Sequence, residues 1–142
     1  MPGDKIFLDT NIMVYAYDTS AGEKHALAKE IVSKLWATAT GVLSTQVLQE
    51  FFVSVTKKVP KPLEVALAKK IVRDFLKWEV VINDGESVLD AIDIHKKYHY
   101  SFWDSLIVEA ALKSRCDVLY SEDLSHNQVV EGITIENPFL RK

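Results

Sequence analysis

The chain has 142 residues, of which 48% are hydrophobic and 26% are charged, and its formal net charge is −3. This length suits one domain with a substantial core, and this composition excludes an intrinsically disordered chain. The one cysteine, Cys116, cannot form an intramolecular disulfide. The first residues lack the apolar stretch of a signal peptide, and no apolar run in the sequence is long enough to span a membrane. We therefore expect a cytoplasmic protein, and the negative charge at first argues against a nucleic-acid partner.

Strand-like and helical patterns alternate in the first half of the chain. Short apolar strands are predicted at residues 5–8 and 42–43, and helices at 12–17 and about 45–57. Ser20 and Glu23 have the spacing of a capping box, which predicts the start of a helix whose apolar face extends to Trp36. Pro62 is well placed at the first position of another amphipathic helix, which continues to Leu76.

The second half continues the same alternation. Strands are predicted at 79–82, 118–120 and 133–135, and helices from Asp84 and at about 102–114. Strands separated by helices predict an α/β fold, a single three-layer α/β/α domain over residues 1–142 with a mainly parallel central sheet of about five strands. Ligands of such sheets bind beyond the carboxyl ends of the strands, near the point where the strand order reverses.

Two carboxylates lie just past the ends of predicted strands. Asp9 comes after the first strand in LDTN, and Asp123 comes after the strand at 118–120 in SED. Each has a purely structural explanation, because Asp9 can cap the following helix and Asp123 can be an ordinary turn residue. For Asp9 taken alone, capping and catalysis are equally good explanations.

Two further carboxylates belong to helices that should be largely buried. Glu50 lies between Leu48 and Phe51 in TQVLQEFFVSV, and Asp104 lies in SFWDSLIVEAALKS. Glu50 can sit on a solvated edge of its helix, and Asp104 can form a capping box with Ser101. A buried carboxylate without a partner is costly, however. One pocket in which the four acids meet is simpler than four separate explanations, and hard divalent cations prefer such oxygen ligands.

The order and spacing of these motifs resemble the PIN-domain family. The resemblance rests on LDTN, Glu50 in a helix after a short strand, WDS at 103–105, SED at 121–123 and the tail GITIENPF, which is similar to that of stand-alone VapC-type toxins. It covers the chain from Ile6 to Phe139. It implies a metal-dependent endoribonuclease, in which water activated by Mg²⁺ or Mn²⁺ cleaves RNA and leaves a 5′-phosphate and a 3′-hydroxyl.

The resemblance also implies roles for particular residues. The catalytic, metal-binding acids would be Asp9, Glu50, Asp104 and Asp123, and the supporting polar residues would be Asn11 and Ser121. Asp9 and Asp104 are expected to bind the ion directly, whereas Glu50 and Asp123 are expected to act through waters or a second ion. Glu122, next to the site, is expected in an exposed turn.

The partners implied by the resemblance are an RNA substrate, a small antitoxin protein and a second copy of the chain in a homodimer. The protein would then be the toxin of a type II toxin–antitoxin pair. Two alternatives stay open: an RNA-processing PIN nuclease, and a catalytically silent module that binds RNA or protein. Without the four acids the formal charge is +1 rather than −3, so the rest of the chain does not repel RNA. Basic residues such as Lys58 are candidates for contacts with phosphate.

Overall fold

A six-stranded sheet lies at the centre of the computed structural model, which describes residues 4–140. Its strands are β1 (Ile6–Leu8), β2 (Gly41–Ser44), β3 (Glu79–Val81), β4 (Val118–Tyr120), β5 (Val129–Val130) and β6 (Ile133–Glu136). They are arranged in the order β3-β2-β1-β4-β6-β5, and every neighbouring pair is parallel except β5 and β6. The prediction of a mainly parallel sheet is confirmed.

Six α-helices in the described residues complete a three-layer α/β/α architecture, which confirms the predicted fold class. They are α1 (Thr10–Tyr17), α2 (Glu23–Thr38), α3 (Thr45–Val53), α4 (Val65–Phe75), α5 (Gly85–Tyr98) and α6 (Phe102–Lys113). Helix α1 packs against α2 and α3, and α5 packs against α6. The core lies on the central strands, where Phe7, Leu8, Leu43 and Leu119 are completely buried. Within residues 4–140, no helix combines the length and apolarity needed to cross a membrane.

Short polar side chains mark where several helices begin. The side chain of Asp84 accepts a hydrogen bond from N of Ser87, and Oγ of Ser87 accepts one from N of Asp84, which together make a capping box at the start of α5. Oγ of Ser101 accepts a hydrogen bond from N of Asp104 at 3.1 Å and caps α6. Both predicted helix starts are confirmed.

The capping box predicted for Ser20 and Glu23 is wrong. Oδ1 of Asp18 accepts hydrogen bonds from both N and Oγ of Ser20, at 3.0 and 2.6 Å. Ser20 is thereby held in a short 3₁₀ turn, Thr19–Ala21, and its hydroxyl does not reach the next helix. Helix α2 instead begins at Glu23 after Gly22, whose φ of 62° is one that glycine adopts easily.

Pro62 lies before α4 rather than at its first position, so that prediction is also wrong. Helix α3 is followed by a π-helical segment, Ser54–Lys58. N of Leu63 donates a hydrogen bond to the carbonyl of Val55 at 2.8 Å, which ties the chain after Pro62 back to this segment. Helix α4 therefore begins only after Leu63, at Val65.

Strand β5 was not predicted from the sequence. It pairs antiparallel with β6 through a two-residue turn, and the turn residues Glu131 and Gly132 have φ values of 48° and 92°. Positive φ at both central residues is typical of a tight hairpin turn. A strand of only two residues has no detectable periodicity, which is why the sequence pattern missed it.

Gly41, at the start of β2, leaves room for the ring of Trp78. A Cβ atom at residue 41 would lie 2.3 Å from Cζ3 of Trp78. The Trp78 ring also packs edge-on against Trp36 and Phe75, with centroid distances of 5.4 and 5.0 Å. Because the ring cannot withdraw without losing these contacts, we expect Gly41→Ala to lower the free energy of unfolding by about 1–3 kcal/mol, measured by urea denaturation.

Gly85→Ala is the matched control for this substitution. Gly85 is the first residue of α5, and a Cβ atom there would have no heavy atom within 4 Å. Alanine is the better helix former, so this variant should be as stable as the wild type or more stable. Equal stability of Gly41→Ala and the wild type would contradict the close packing of Trp78 described above.

Candidate active site

One cavity is lined by all four acids that were predicted from the sequence to meet. Its volume is about 610 Å³, and Asp9, Glu50, Asp104 and Asp123 all line it. It lies beyond the carboxyl ends of the parallel neighbours β1 and β4, with β2 on the other side of β1. The strand order therefore reverses at this point, which is where ligands bind in such sheets. The predicted clustering is found, and the catalytic roles remain predictions.

Asp9 is the most deeply buried of the four acids, with 5% of its surface exposed. Its Oδ1 accepts a hydrogen bond from N of Thr10, and its Oδ2 accepts one from Oγ of Ser121, both at 2.7 Å. Burial raises the pKa of Asp9 from its usual 3.8 to about 7; the two hydrogen bonds oppose this shift, and the charges of Asp104 and Asp123 add to it. Asp9 therefore caps α1, as one of the two explanations from the sequence requires, and it also lines the cavity, where its catalytic role remains a prediction.

Glu50 enters the cavity from α3 and is half-buried. Its Oε1 accepts a hydrogen bond from Oγ1 of Thr10 at 2.6 Å, and its Oε2 accepts one from Nε2 of Gln46 at 3.3 Å. Nε2 of Gln46 also donates to the carbonyl of Trp103 at 3.2 Å. Thr10 and Gln46 were not singled out from the sequence, although Thr10 adjoins Asp9 and Gln46 lies one helical turn before Glu50.

Asp104 and Asp123 complete the set from α6 and from the turn after β4. Asp104 is half-buried, and burial raises its pKa, with the charges of Asp123 and Glu50 contributing in the same direction. Asp123 is exposed, and its Oδ2 accepts a hydrogen bond from Nδ2 of Asn11 at 3.0 Å. Oγ of Ser121 accepts a hydrogen bond from N of Asp123 at 3.2 Å. The two predicted supporting residues thus contact acids of the cavity, and their supporting role remains a prediction.

Glu122 does not lie in an exposed turn, so that expectation is wrong. It is half-buried, its Oε1 accepts a hydrogen bond from the hydroxyl of Tyr15 at 2.7 Å, and its Oε2 forms an ion pair with Lys24. Nζ of Lys24 also lies 5.1 Å from the ring centre of Tyr15 and 5.7 Å from that of Phe139. These contacts hold the turn that carries Asp123 against α1 and α2. Lys24 is 98 residues from Glu122, and no local pattern predicts such a pair.

A family model described as PIN domain matches residues 6–131. The chain belongs to the PIN domain family. The resemblance found in the sequence is confirmed, and the matched segment contains the four acids together with Asn11 and Ser121. No curated protein sequence matches the chain significantly.

Solved structures with the same fold include toxins and toxin–antitoxin complexes. VapC20 from Mycobacterium tuberculosis, described as a sarcin–ricin loop cleaving toxin, is 22% identical over 83% of this chain and 89% of its own, with a TM-score of 0.63. A toxin–antitoxin complex from Klebsiella pneumoniae is 15% identical over 94% of this chain and 98% of its own, with a TM-score of 0.68. DNA-bound VapBC from Salmonella typhimurium is 21% identical over 94% of this chain and 98% of its own, with a TM-score of 0.65. At these identities the likeness establishes the fold.

The oxygen donors in the cavity of this PIN domain suit a hard divalent cation. Carboxylates are typical ligands of Mg²⁺ and Mn²⁺. Oδ1 of Asn11 is buried without a hydrogen-bond partner in the described part of the chain, and Asn11 lines the same cavity. Between residues 4 and 140, no group of three or more His, Cys, Asp or Glu side chains is arranged to hold a metal ion. Because Mg²⁺ usually takes one or two carboxylates and keeps several waters, the residues fit an open, partly hydrated site rather than a closed cage.

Burial of Asp9 should make the stability of this PIN domain depend on pH. The pKa of Asp9 is 3.8 in an unfolded chain and about 7 in the fold, so the folded state binds more protons between these values. The free energy of unfolding in metal-free buffer should therefore fall as the pH rises through this window. The slope should approach about 1.4 kcal/mol per pH unit, measured by urea denaturation at a series of pH values in chelator.

Asp9→Asn should remove most of this dependence, because asparagine does not titrate. The variant should match the wild type near the lower end of the window and be more stable than it above the window. Asp4→Asn is the matched control, since Asp4 is exposed and lies at the opposite, amino end of β1. If the wild-type slope persists in Asp9→Asn, the burial of an ionised Asp9 is not its cause.

Proposed function

We propose that this PIN domain is a divalent-metal-dependent endoribonuclease. The observation that carries the proposal is the shared cavity, in which burial raises the pKa of Asp9 and the charges of Asp104 and Asp123 add to this shift. Carboxylates that share a cavity disfavour one another's ionised forms unless a cation is bound. Within the described residues, none of the four acids forms a salt bridge, so their negative charge is available to an ion.

Family membership and the structural neighbours support RNA cleavage. PIN domains are nucleases, and VapC20 is described as a toxin that cleaves the sarcin–ricin loop. The Klebsiella pneumoniae structure is a toxin–antitoxin complex. These relatives favour an enzyme over a silent binding module, and they favour a toxin over a general RNA-processing nuclease.

The side chains that line the cavity would have different roles. Asp9 and Asp104 would hold Mg²⁺ or Mn²⁺ directly, and Glu50 and Asp123 would complete the site through waters or a second ion. Thr10 orients Glu50 through its hydroxyl. Such a cation makes water a stronger nucleophile and neutralises charge on the scissile phosphate.

Two residues at the cavity suit contacts with the RNA itself. Lys58, from the π-helical segment after α3, lines the cavity and can contact a phosphate. Trp103 also lines it, and 62% of its surface is exposed, so its ring is available for stacking on a base. The net negative charge of the chain therefore does not exclude an RNA substrate.

We also infer that the nuclease is the toxin of a type II toxin–antitoxin pair. It would act in the cytoplasm as a homodimer and be held inactive by a small antitoxin protein. An RNA-processing nuclease with the same active site is the alternative. The toxin and the RNA-processing nuclease differ in how their unregulated activity affects the growth of a cell.

Purified wild-type protein should cleave a mixed single-stranded RNA pool with Mg²⁺ or Mn²⁺ and should not cleave it in chelator. Asp9→Asn should reduce the rate at least about 100-fold, since even the loss of a group that only orients a metal ligand costs about 10–100-fold. Cleavage is followed by gel electrophoresis, and end-labelling should identify 5′-phosphate ends.

Asp4→Asn serves again as the control, and it should cleave at the wild-type rate. Equal cleavage by wild type and Asp9→Asn would identify a contaminating nuclease. No cleavage by the wild type, after denaturation and refolding to remove any copurified antitoxin, would contradict the nuclease and favour the binding module.

Induced expression of the wild type in a bacterial host should stop growth, whereas Asp104→Asn should not. The substitution replaces a half-buried carboxyl group, whose pKa burial raises, with a neutral amide. The variant should therefore be as stable as the wild type, or more stable, without metal. Growth curves, immunoblots for equal protein levels and urea denaturation in chelator provide the measurements. Undisturbed growth with an active purified enzyme would favour RNA processing, and a clear loss of stability in Asp104→Asn would indicate a structural role for Asp104.

A further inference from the structure

A second acidic cavity, the α5–α6 cavity, lies between helices α5 and α6. Its volume is about 480 Å³, and none of the residues that line it also lines the active-site cavity. Helix α5 contributes Glu86, Asp90 and Asp93, which the helical repeat places on one face, and α6 contributes Glu109. The four carboxylates come from two packed helices and play no part in the proposed nuclease site.

Glu109 is the member of this group that points to a ligand. Only 5% of its surface is exposed, and its Oε1 has no hydrogen-bond partner among the described residues. Burial raises the pKa of Glu109; the charge of Lys113 opposes this shift, and that of Asp90 adds to it. A buried carboxylate oxygen without a partner is unfavourable, and a bound cation would remove that penalty.

The two lysines that line the α5–α6 cavity are paired with residues other than these four acids. Nζ of Lys113 lies 3.3 Å from Oγ of Ser87 and 3.4 Å from Oδ2 of Asp84, at the start of α5. Nζ of Lys97 forms an ion pair of 2.8 Å with Glu131. Over residues 4–140, no salt bridge involves the carboxylates of α5 in this cavity or Glu109. The cavity therefore keeps uncompensated negative charge.

The spacing of the acids favours an extended cation over a single ion. The rise of an α-helix places Glu86 and Asp90 about 6 Å apart along the axis, and Asp93 about 4.5 Å further on. No three acids in the described chain are arranged to hold a metal ion. Linear polyamines carry ammonium groups separated by short methylene chains, with comparable spacing. Ile94 and Leu112 also line the cavity and offer apolar contacts to such methylene groups.

We propose that the α5–α6 cavity binds a linear polyamine, with one ammonium group at Glu109 and another on the acidic face of α5. Charged hydrogen bonds between ammonium and carboxylate groups supply the affinity, and the apolar wall accommodates the stem. This inference is independent of the proposed nuclease activity, because it uses none of the active-site residues.

Isothermal titration calorimetry with spermidine, in chelator-containing buffer, tests the proposal. The wild type should bind at one site, and Glu109→Gln, which keeps the shape and removes the charge, should weaken binding about tenfold or more. Asp90→Asn, on the exposed face of α5, should also weaken it. Glu30→Gln is the matched control on the exposed surface of α2 and should bind like the wild type.

Asp9→Asn separates this site from the active-site acids and should leave spermidine affinity unchanged. Loss of binding in Asp9→Asn but not in Glu109→Gln would overturn the proposal, as would no spermidine binding by the wild type. A parallel titration with Mg²⁺ alone, in buffer without chelator, tests whether the cavity binds a metal ion instead. If Mg²⁺ binds in a Glu109-dependent way and spermidine does not bind, the polyamine proposal is also overturned. If circular dichroism shows that Glu109→Gln is unfolded, wild-type affinity in Asp90→Asn becomes the contradicting result.

Discussion

The burial of one carboxylate, that of Asp9, is the constraint on which the candidate site depends. An ionised group at the end of the central strand is unfavourable there, and the fold compensates with two neutral donors, N of Thr10 and Oγ of Ser121. Glu50 and Asp123 likewise accept hydrogen bonds from neutral side chains. Neutral donors orient a carboxylate without cancelling its charge, whereas a lysine would do both. The carboxylates of the site are therefore oriented while their charge is left uncancelled.

The pairing of β1 with β4 makes this arrangement possible. Leu8 is in register with Tyr120, and N of Asp9 donates a hydrogen bond to the carbonyl of Tyr120 at 2.9 Å. A slip of one residue would turn Asp9 to the opposite face of the sheet and separate it from Ser121. Such a slip would also remove the completely buried side chain of Leu119, in the middle of β4, from its packing on one face of the sheet. The apolar core and the polar site are thus fixed by the same register.

Features with a local chemical cause could be predicted from the sequence. Acids just past strand ends, such as Asp9 and Asp123, could be expected to meet because parallel strands end at one edge of a sheet. The start of α5 follows from the hydrogen bonds that Asp84 makes within one helical turn. Features that depend on which of several partners a side chain takes could not be predicted. The hydroxyl of Ser20 donates to Asp18, two residues earlier, rather than reaching the next helix. Glu122 is half-buried and pairs with Lys24, 98 residues away.

Helix α6 shows how one element can serve two cavities. A helix turns by about 100° per residue, so the five-residue step from Asp104 to Glu109 places their side chains about 140° apart. Asp104 therefore lines the active-site cavity while Glu109 lines the α5–α6 cavity. The apolar residues between them, including Ile107 and Val108, are buried and hold the helix in this orientation. The packing of this one helix therefore positions a carboxylate in each of the two cavities.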